Sequence, residues 1–208
     1  MDADSRKMPG TLVVFEGIDG TGKSTQAELL ERALAARGIE VVRSREPTSG
    51  PHGKRIREAS RTCRLPVAEE LELFVLDRRE HVAEVIAPAL TAGRVVVIDR
   101  YYFSTAAYQG ARGVPMDEIL ATNEAFAPVP DLLFLFDLPV AEALSRVGAR
   151  GQGSTAFEKE EYLRTVKALF DSLDRDYLVR VDASRSIEAL HAEILTRVLA
   201  ALPRGSSI

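Results

Sequence analysis

Apolar residues along this chain follow two alternating rhythms, and the alternation predicts the architecture. Thr11-Leu-Val-Val-Phe15 is a short β-branched and apolar run closed by Glu16 and a glycine, the signature of a buried strand. Helical spacing follows from Ser24 through Arg37, with Ala27, Leu30 and Leu34 on one stripe and Gly38 as the stop. Further strands are predicted at Ile39 to Ser44, Val95 to Asp99, Asp131 to Asp137 and Leu178 to Asp182. Helices are predicted at Glu69 to Leu90, Asp117 to Ala127, Val140 to Gly148, Phe157 to Leu173 and Ile187 to Leu202. Nearly all-apolar strands alternating with helices imply an α/β fold: a five-stranded parallel sheet covered by helices on both faces. No repeat, low-complexity tract or Gly/Ser linker divides residues 1–208, which read as one domain with a loose tail at 1–10. The glycine-crowded stretch Gly148 to Ser154, between two helices, reads as a mobile flap, a short lid over about 148–156.

Composition narrows the classes. A chain of 208 residues, 46% hydrophobic and 28% charged, excludes disorder, collagen and coiled coil. No apolar run reaches the roughly 18 residues of a bilayer span, so no membrane partner is expected. Met1 to Gly10 carries charges but no apolar stretch behind them, and so is not read as a secretory signal. The single cysteine, Cys63, permits neither an intramolecular disulfide nor a multi-cysteine metal site, and points to a reducing cytoplasm. A net charge of -4 speaks against a general nucleic-acid binder. The balance reverses locally, because Arg43, Arg45, Lys54, Arg55, Arg57, Arg61 and Arg64 face only Glu46 and Glu58. Arginine holds phosphate or carboxylate through two parallel bonds, so this segment reads either as an anion pocket or as a solvated helix face.

The strongest chemical signal is Gly17-Ile18-Asp19-Gly20-Thr21-Gly22-Lys23-Ser24, which satisfies G-x-x-x-x-G-K-[ST] between a strand and a helix. Glycines let the backbone curl so that its N–H groups point at phosphate oxygens, and the following helix adds its positive dipole end. Lys23 is placed to reach the β and γ phosphates, and Ser24, with Thr25 as a second candidate, to offer a hydroxyl to Mg²⁺. The chain therefore reads as binding a nucleoside triphosphate. The sole asparagine, Asn123, is followed by Glu124 and Ala125, which removes the usual Asn-Lys-x-Asp of guanine switches. Two acids end apolar strands, Asp99 and Asp137, and either satisfies the pattern of a metal-orienting carboxylate. Asp137 has the further reading of a helix cap, since Pro139 opens the next helix.

Several blocks together resemble the thymidylate kinase family: Glu16 to Ser24, Arg45-Glu46-Pro47, Leu73-Phe74-Val-Leu-Asp77-Arg78, Asp99-Arg100-Tyr101, Ser104-Thr105-Ala-Ala-Tyr108-Gln109-Gly110, Pro130-Asp131-Leu132 and Val181-Asp182-Ala183-Ser184. They span Thr11 to about Leu199. The resemblance implies P-loop nucleotide kinase architecture and transfer of the γ-phosphoryl of ATP to dTMP, with Mg²⁺ and as a homodimer. It places Phe74 on the thymine ring and Arg78, four residues on, at the base edge. It puts Thr105 and Gln109 near the base, and Tyr108 against the sugar 2′ position. Arg57 and Arg100 are implied to hold the acceptor phosphate, Asp19 to lie near the acceptor sugar and the metal, and Ala183, Ser184 and Arg185 to lie beside the adenine. Other readings of the same residues are core packing for Phe74, a turn cap for Gln109, a turn-stabilising role for Asp19, and a loop-bracing role for Arg45.

A phosphate monoester acceptor is already largely a dianion at neutral pH, so no catalytic base is assigned, and His52, His81 and His191 read as surface or helix residues. Some members of the family carry an arginine in the glycine loop, where this chain has Gly20; the lid is then expected to supply it. The lid here lacks the Asp-Arg pair that many bacterial members carry before an aromatic and Glu, reading Thr155-Ala156-Phe157-Glu158 instead. That leaves Arg150 as the catalytic candidate and Arg146, a turn earlier, as an ATP contact, with a solvated loop charge as the alternative for Arg150. A different pyrimidine monophosphate such as dUMP or UMP as acceptor, or a non-catalytic nucleotide-binding module, are the competing functional readings.

Overall fold

A computed structural model describes residues 9–62, 65–148 and 156–203. The expectations for residues 1–8 of the tail 1–10, for most of the lid and for Arg150 fall outside the described residues, while Gly10 is buried and its N–H donates to the Leu90 carbonyl at 2.8 Å. The strands are β1 (Thr11–Glu16), β2 (Val41–Arg45), β3 (Val95–Asp99), β4 (Leu132–Asp137) and β5 (Leu178–Asp182). They pair in parallel, as expected, and in the order β2-β3-β1-β4-β5. All six residues of β1 are buried, which is why its sequence is a continuous apolar run rather than an alternating one. Edge strands β2 and β5 alternate instead, with Arg43 and Arg180 exposed.

The helices are α1 (Lys23–Ala35), α2 (Pro51–Thr62), α3 (Val67–His81), α4 (Ala87–Thr91), α5 (Tyr102–Gly110), α6 (Met116–Glu124), α7 (Val140–Gly148), α8 (Ala156–Asp171) and α9 (Ile187–Ala201). The single helix predicted from Glu69 to Leu90 is interrupted by one π-helical stretch, Val82–Ile86, just before Pro88. Pro88 has no N–H to give, and the ladder widens just ahead of it, where the Ala87 N–H donates to the Val82 carbonyl. Two helices carried no periodic signal of their own. Helix α2 has buried Gly53 and Ile56 in an otherwise polar segment, and α5 is buried nearly all round through Tyr102, Phe103, Thr105, Ala106, Ala107 and Gln109.

The core joins both sheet faces: Phe15 packs edge-on against Phe134 and Phe136, while Leu30 and Leu34 of α1 and Ile194 and Val198 of α9 are fully buried. Because β1 lies between β3 and β4, the chain leaves it toward one edge first and returns to the other side later. The crevice at the carboxyl ends of β1 and β3 is the topological switch point, where ligands of such sheets bind.

Candidate active site

The loop after β1 fills that crevice. Gly17 has φ 137°, and a Cβ on it would meet the Phe136 carbonyl oxygen at 2.7 Å. Gly20 has φ 88°, and a Cβ there would meet the Ala143 carbonyl oxygen at 2.5 Å and Val147 at 3.0 Å. Helix α7 thus packs on the loop where an arginine would have to leave it. Lys23 is buried, and its Nζ donates to the Ile18 carbonyl at 2.8 Å and to Thr21 Oγ1 at 3.3 Å. Burial, with Arg100 adding repulsion, lowers its pKa to about 7.

A cavity of about 790 Å³ opens above this loop. Asp19, Gly20, Thr21, Gly22, Lys23, Ser24 and Thr25 line it, with Arg45, Asp99, Arg100, Arg146, Ala183 and Arg185. Gly17 and Ile18 sit beneath it against Phe136 and shape the turn rather than the cavity wall. Ser184 is not among its lining residues, and its N–H and hydroxyl both donate to Asp182 Oδ1. Arg146 donates from Nη1 to the Ala183 carbonyl at 3.0 Å, which brings α7 over the far end of the cavity. The two candidate acids separate clearly. Ser24 donates its hydroxyl to Asp99 Oδ2, whereas Asp137 pairs with Lys167 at 2.7 Å. Asp99 Oδ1 is buried with no hydrogen-bond partner. A hydroxyl beside a carboxylate oxygen left to spare is a donor set suited to a hard divalent cation.

A second cavity, about 470 Å³, lies on the other side of Arg100 and is more apolar. Phe74, Arg78, Thr105, Tyr108, Gln109 and Arg57 all line it, drawn from α2, α3 and α5. Phe74 is only half buried and forms wall rather than core. Arg57 donates from Nη1 to the carbonyls of Pro47 at 2.8 Å and Thr48 at 2.5 Å. Arg78 is 1% exposed and carries most of its donors inward: Nε and Nη2 to Glu46 Oε2 at 2.9 and 2.6 Å, Nη2 to Thr105 at 3.2 Å, and Nη1 to Asn123 at 2.6 Å. Five N–H groups less these four leave one for a ligand. Gln109 is held similarly, donating to Glu70 at 3.0 Å and accepting from Arg112, so it is no turn cap. His81 is a helix residue, yet a buried one, between Glu46 Oε1 at 3.0 Å and Ser44 Oγ at 2.7 Å.

Arg100 stands between the cavities and lines both, as do Asp19 and Glu46. Its φ of 70° is the left-handed region that costs a residue with a Cβ roughly 1 kcal/mol or more. Nη2 donates to Asp19 Oδ1 at 2.7 Å and Nη1 to Ser104 Oγ at 2.8 Å, with the guanidinium 5.2 Å from the Tyr108 ring centre. Burial opposes its charge, but Tyr108, Asp19, Glu16 and Asp99 outweigh that and hold its pKa above the ordinary value. Burial likewise raises the Tyr108 phenol, against the pull of Arg100.

The Thymidylate kinase family model matches residues 15–194. A thymidylate kinase of Desulfotalea psychrophila is 47% identical over 193 residues, covering 91% of this chain and 95% of that protein. One of Akkermansia muciniphila is 49% identical over 185 residues, 89% of each chain. One of Xanthomonas euvesicatoria is 45% identical over 196 residues, 94% of this chain and 86% of that one. The chain belongs to the thymidylate kinase family.

Within that family setting, the sequence reading did not assign Glu46, Glu70, Asn123, Ser104 or Tyr162. Glu46 carries no site role in the sequence beyond offsetting the basic segment, and its position one residue past β2, at the carboxyl edge of the sheet, is the available clue. Tyr162 enters the second cavity from α8 and donates to the Tyr108 carbonyl at 2.8 Å. No spacing in the sequence links those two tyrosines. No helix among the described residues is long and apolar enough to cross a membrane.

Proposed function

We propose that the protein transfers the γ-phosphoryl group of ATP to dTMP, giving dTDP and ADP on the way to dTTP. One observation carries this reading: two cavities of nucleotide size meet at Asp19, Glu46 and Arg100, one walled by a phosphate-binding loop and the other by an aromatic face and buried arginines. ATP occupies the first with its phosphates over Gly20 to Thr25 and its adenine toward Arg146, Ala183 and Arg185. A polyphosphate restores the charge that burial suppresses on Lys23. Ser24 and Asp99 would hold Mg²⁺, which supplies neutralisation of the β and γ oxygens when bound. dTMP occupies the second cavity with its base on Phe74, the last free Arg78 donor at the base edge, its deoxyribose on Tyr108 and its phosphate between Arg57 and Arg100. Transfer needs alignment and charge neutralisation rather than a base, because the acceptor phosphate is already a dianion. Arg100 supplies positive charge from between the two guests, and Arg150 is assigned the same task from the lid.

Coupled ATP turnover with a panel of monophosphates tests this. dTMP should be the best acceptor by at least about tenfold in kcat/KM. Faster turnover with dUMP or UMP would reassign the acceptor, and ATP binding with no ADP formed on adding dTMP would leave only a nucleotide-binding module. We further propose a homodimer in the cytoplasm. A monomer in sedimentation at assay concentration would remove the former.

A further inference from the structure

Glu16 closes β1 immediately before the glycine loop, and none of the roles above uses it. It is 0% exposed. Its Oε1 accepts from the backbone N–H of Tyr101 at 2.7 Å and of Ser104 at 2.9 Å, and its Oε2 accepts from the Ser104 hydroxyl at 2.5 Å. Two backbone N–H groups and the serine hydroxyl favour the carboxylate, against burial, which raises its pKa. A serine hydroxyl has one hydrogen, and giving it to Glu16 leaves the oxygen lone pairs for Arg100, whose Nη1 donates to that same Ser104 Oγ at 2.8 Å. The chain of contacts runs from the buried end of β1 through α5 to the guanidinium between the cavities.

We propose that Glu16, acting through the Ser104 hydroxyl, is the positioning residue that holds the Arg100 guanidinium in place for phosphoryl transfer. The two ends of the Arg100 fork are held unequally. Asp19 holds Nη2 from a side chain 68% exposed, a contact that an arriving phosphate can displace, whereas Ser104 and Glu16 hold Nη1 from the interior. Glu16 also clamps the backbone next to the strained Arg100, since Tyr101 N–H is its donor while Arg100 N–H donates to the Phe15 carbonyl at 3.0 Å. A guanidinium anchored at one end keeps its aim while exchanging partners at the other, which is what preorganised stabilisation of a transition state requires.

The inference rests on Arg100 acting as proposed above, so Arg100→Ala is measured alongside Ser104→Ala, Ser104→Thr and Glu16→Gln. Steady-state kinetics with ATP and dTMP and thermal melting are recorded for each. Ser104→Ala leaves the backbone contacts of Glu16 intact and removes only the link: kcat should fall about tenfold, with the KM for ATP and the melting midpoint little changed. Ser104→Thr, which keeps a hydroxyl, should retain kcat within about threefold. Glu16→Gln presents an amide donor to Ser104 and should lower kcat at least as far as Ser104→Ala, and the double variant should be no slower than the slower single, as expected for residues acting as one unit. If Arg100→Ala is severe while Ser104→Ala keeps wild-type kcat, or if Thr is as slow as Ala, the positioning role is overturned and the site reading stands. If Arg100→Ala is itself near normal, the site reading fails. Should Glu16→Gln melt below the assay temperature, the Ser104 pair alone decides.

Discussion

The two cavities are built on opposite principles. The donor side is a local object: the consecutive residues Asp19 to Ser24 supply its floor over the turn made by Gly17 and Ile18, and main-chain geometry with one lysine gives it its chemistry. The acceptor side is assembled from α2, α3, α5, α8 and the loop after β2, and its walls are side chains locked by buried charge, Arg78 on Glu46 and Arg112 on Glu70. Backbone cradles tolerate change in the surrounding side chains, whereas a wall of paired charges fails as a unit when one partner is removed.

That contrast gives an ordered set of expectations. Lys23→Met should lower kcat/KM by about a thousandfold or more while the fold remains intact, because phosphate charge loses its fixed counterpart; a coupled assay and a melting curve read both. Glu46→Gln should do the reverse, lowering stability by roughly 3–5 kcal/mol in denaturant titration by leaving the Arg78 guanidinium buried without its carboxylate. A stability within about 1 kcal/mol of the parent would show that the acceptor wall is not a unit. Phe74→Ala should raise the KM for dTMP about ten- to a hundredfold with the KM for ATP unchanged, since stacking on one base is worth about 1–3 kcal/mol. The smallest effect is a proton. With Lys23 lowered from 10.5 to about 7 by burial, the unfolded chain binds one more proton than the empty folded protein between those values. The empty protein therefore gains stability as pH rises through that window. ATP restores the charge, so calorimetry at pH 8 in buffers of different ionisation enthalpy should detect proton uptake approaching one, absent near pH 6 and in Lys23→Met.

Legibility in the sequence followed the same division. β1, β3 and β4 were readable because buried parallel strands are continuous apolar runs, and α1 because a stripe of Ala27, Leu30 and Leu34 sits between loop and Gly38. Helix α5 was not, since it is buried on nearly every side and has no polar face to set a period. The roles assigned to Phe74, Arg78, Thr105, Tyr108 and Gln109 came from a family pattern, and the structure brings all five to one cavity wall. It also shows that Arg78 and Gln109 spend most of their hydrogen-bonding capacity on Glu46, Glu70, Asn123 and Arg112, partners up to 45 residues away. The choice between Asp99 and Asp137 was open for the same reason. Both end apolar strands, and only the placement of α1 against β3 brings Ser24 to Asp99 while α8 brings Lys167 to Asp137.

By itself the sequence determined the strand and helix rhythm, the phosphate loop and the absence of a guanine-switch motif, because each is written in neighbouring residues whose backbone preferences act over a few positions. Tertiary structure alone decided that Gly20 lies under α7 where no arginine fits, that Arg100 adopts φ 70° between two cavities, and that Glu16 reaches it through Ser104. Those facts depend on which distant segments share a desolvated volume, where an unpaired charge is too costly to leave alone and each partner is fixed by the packing around it.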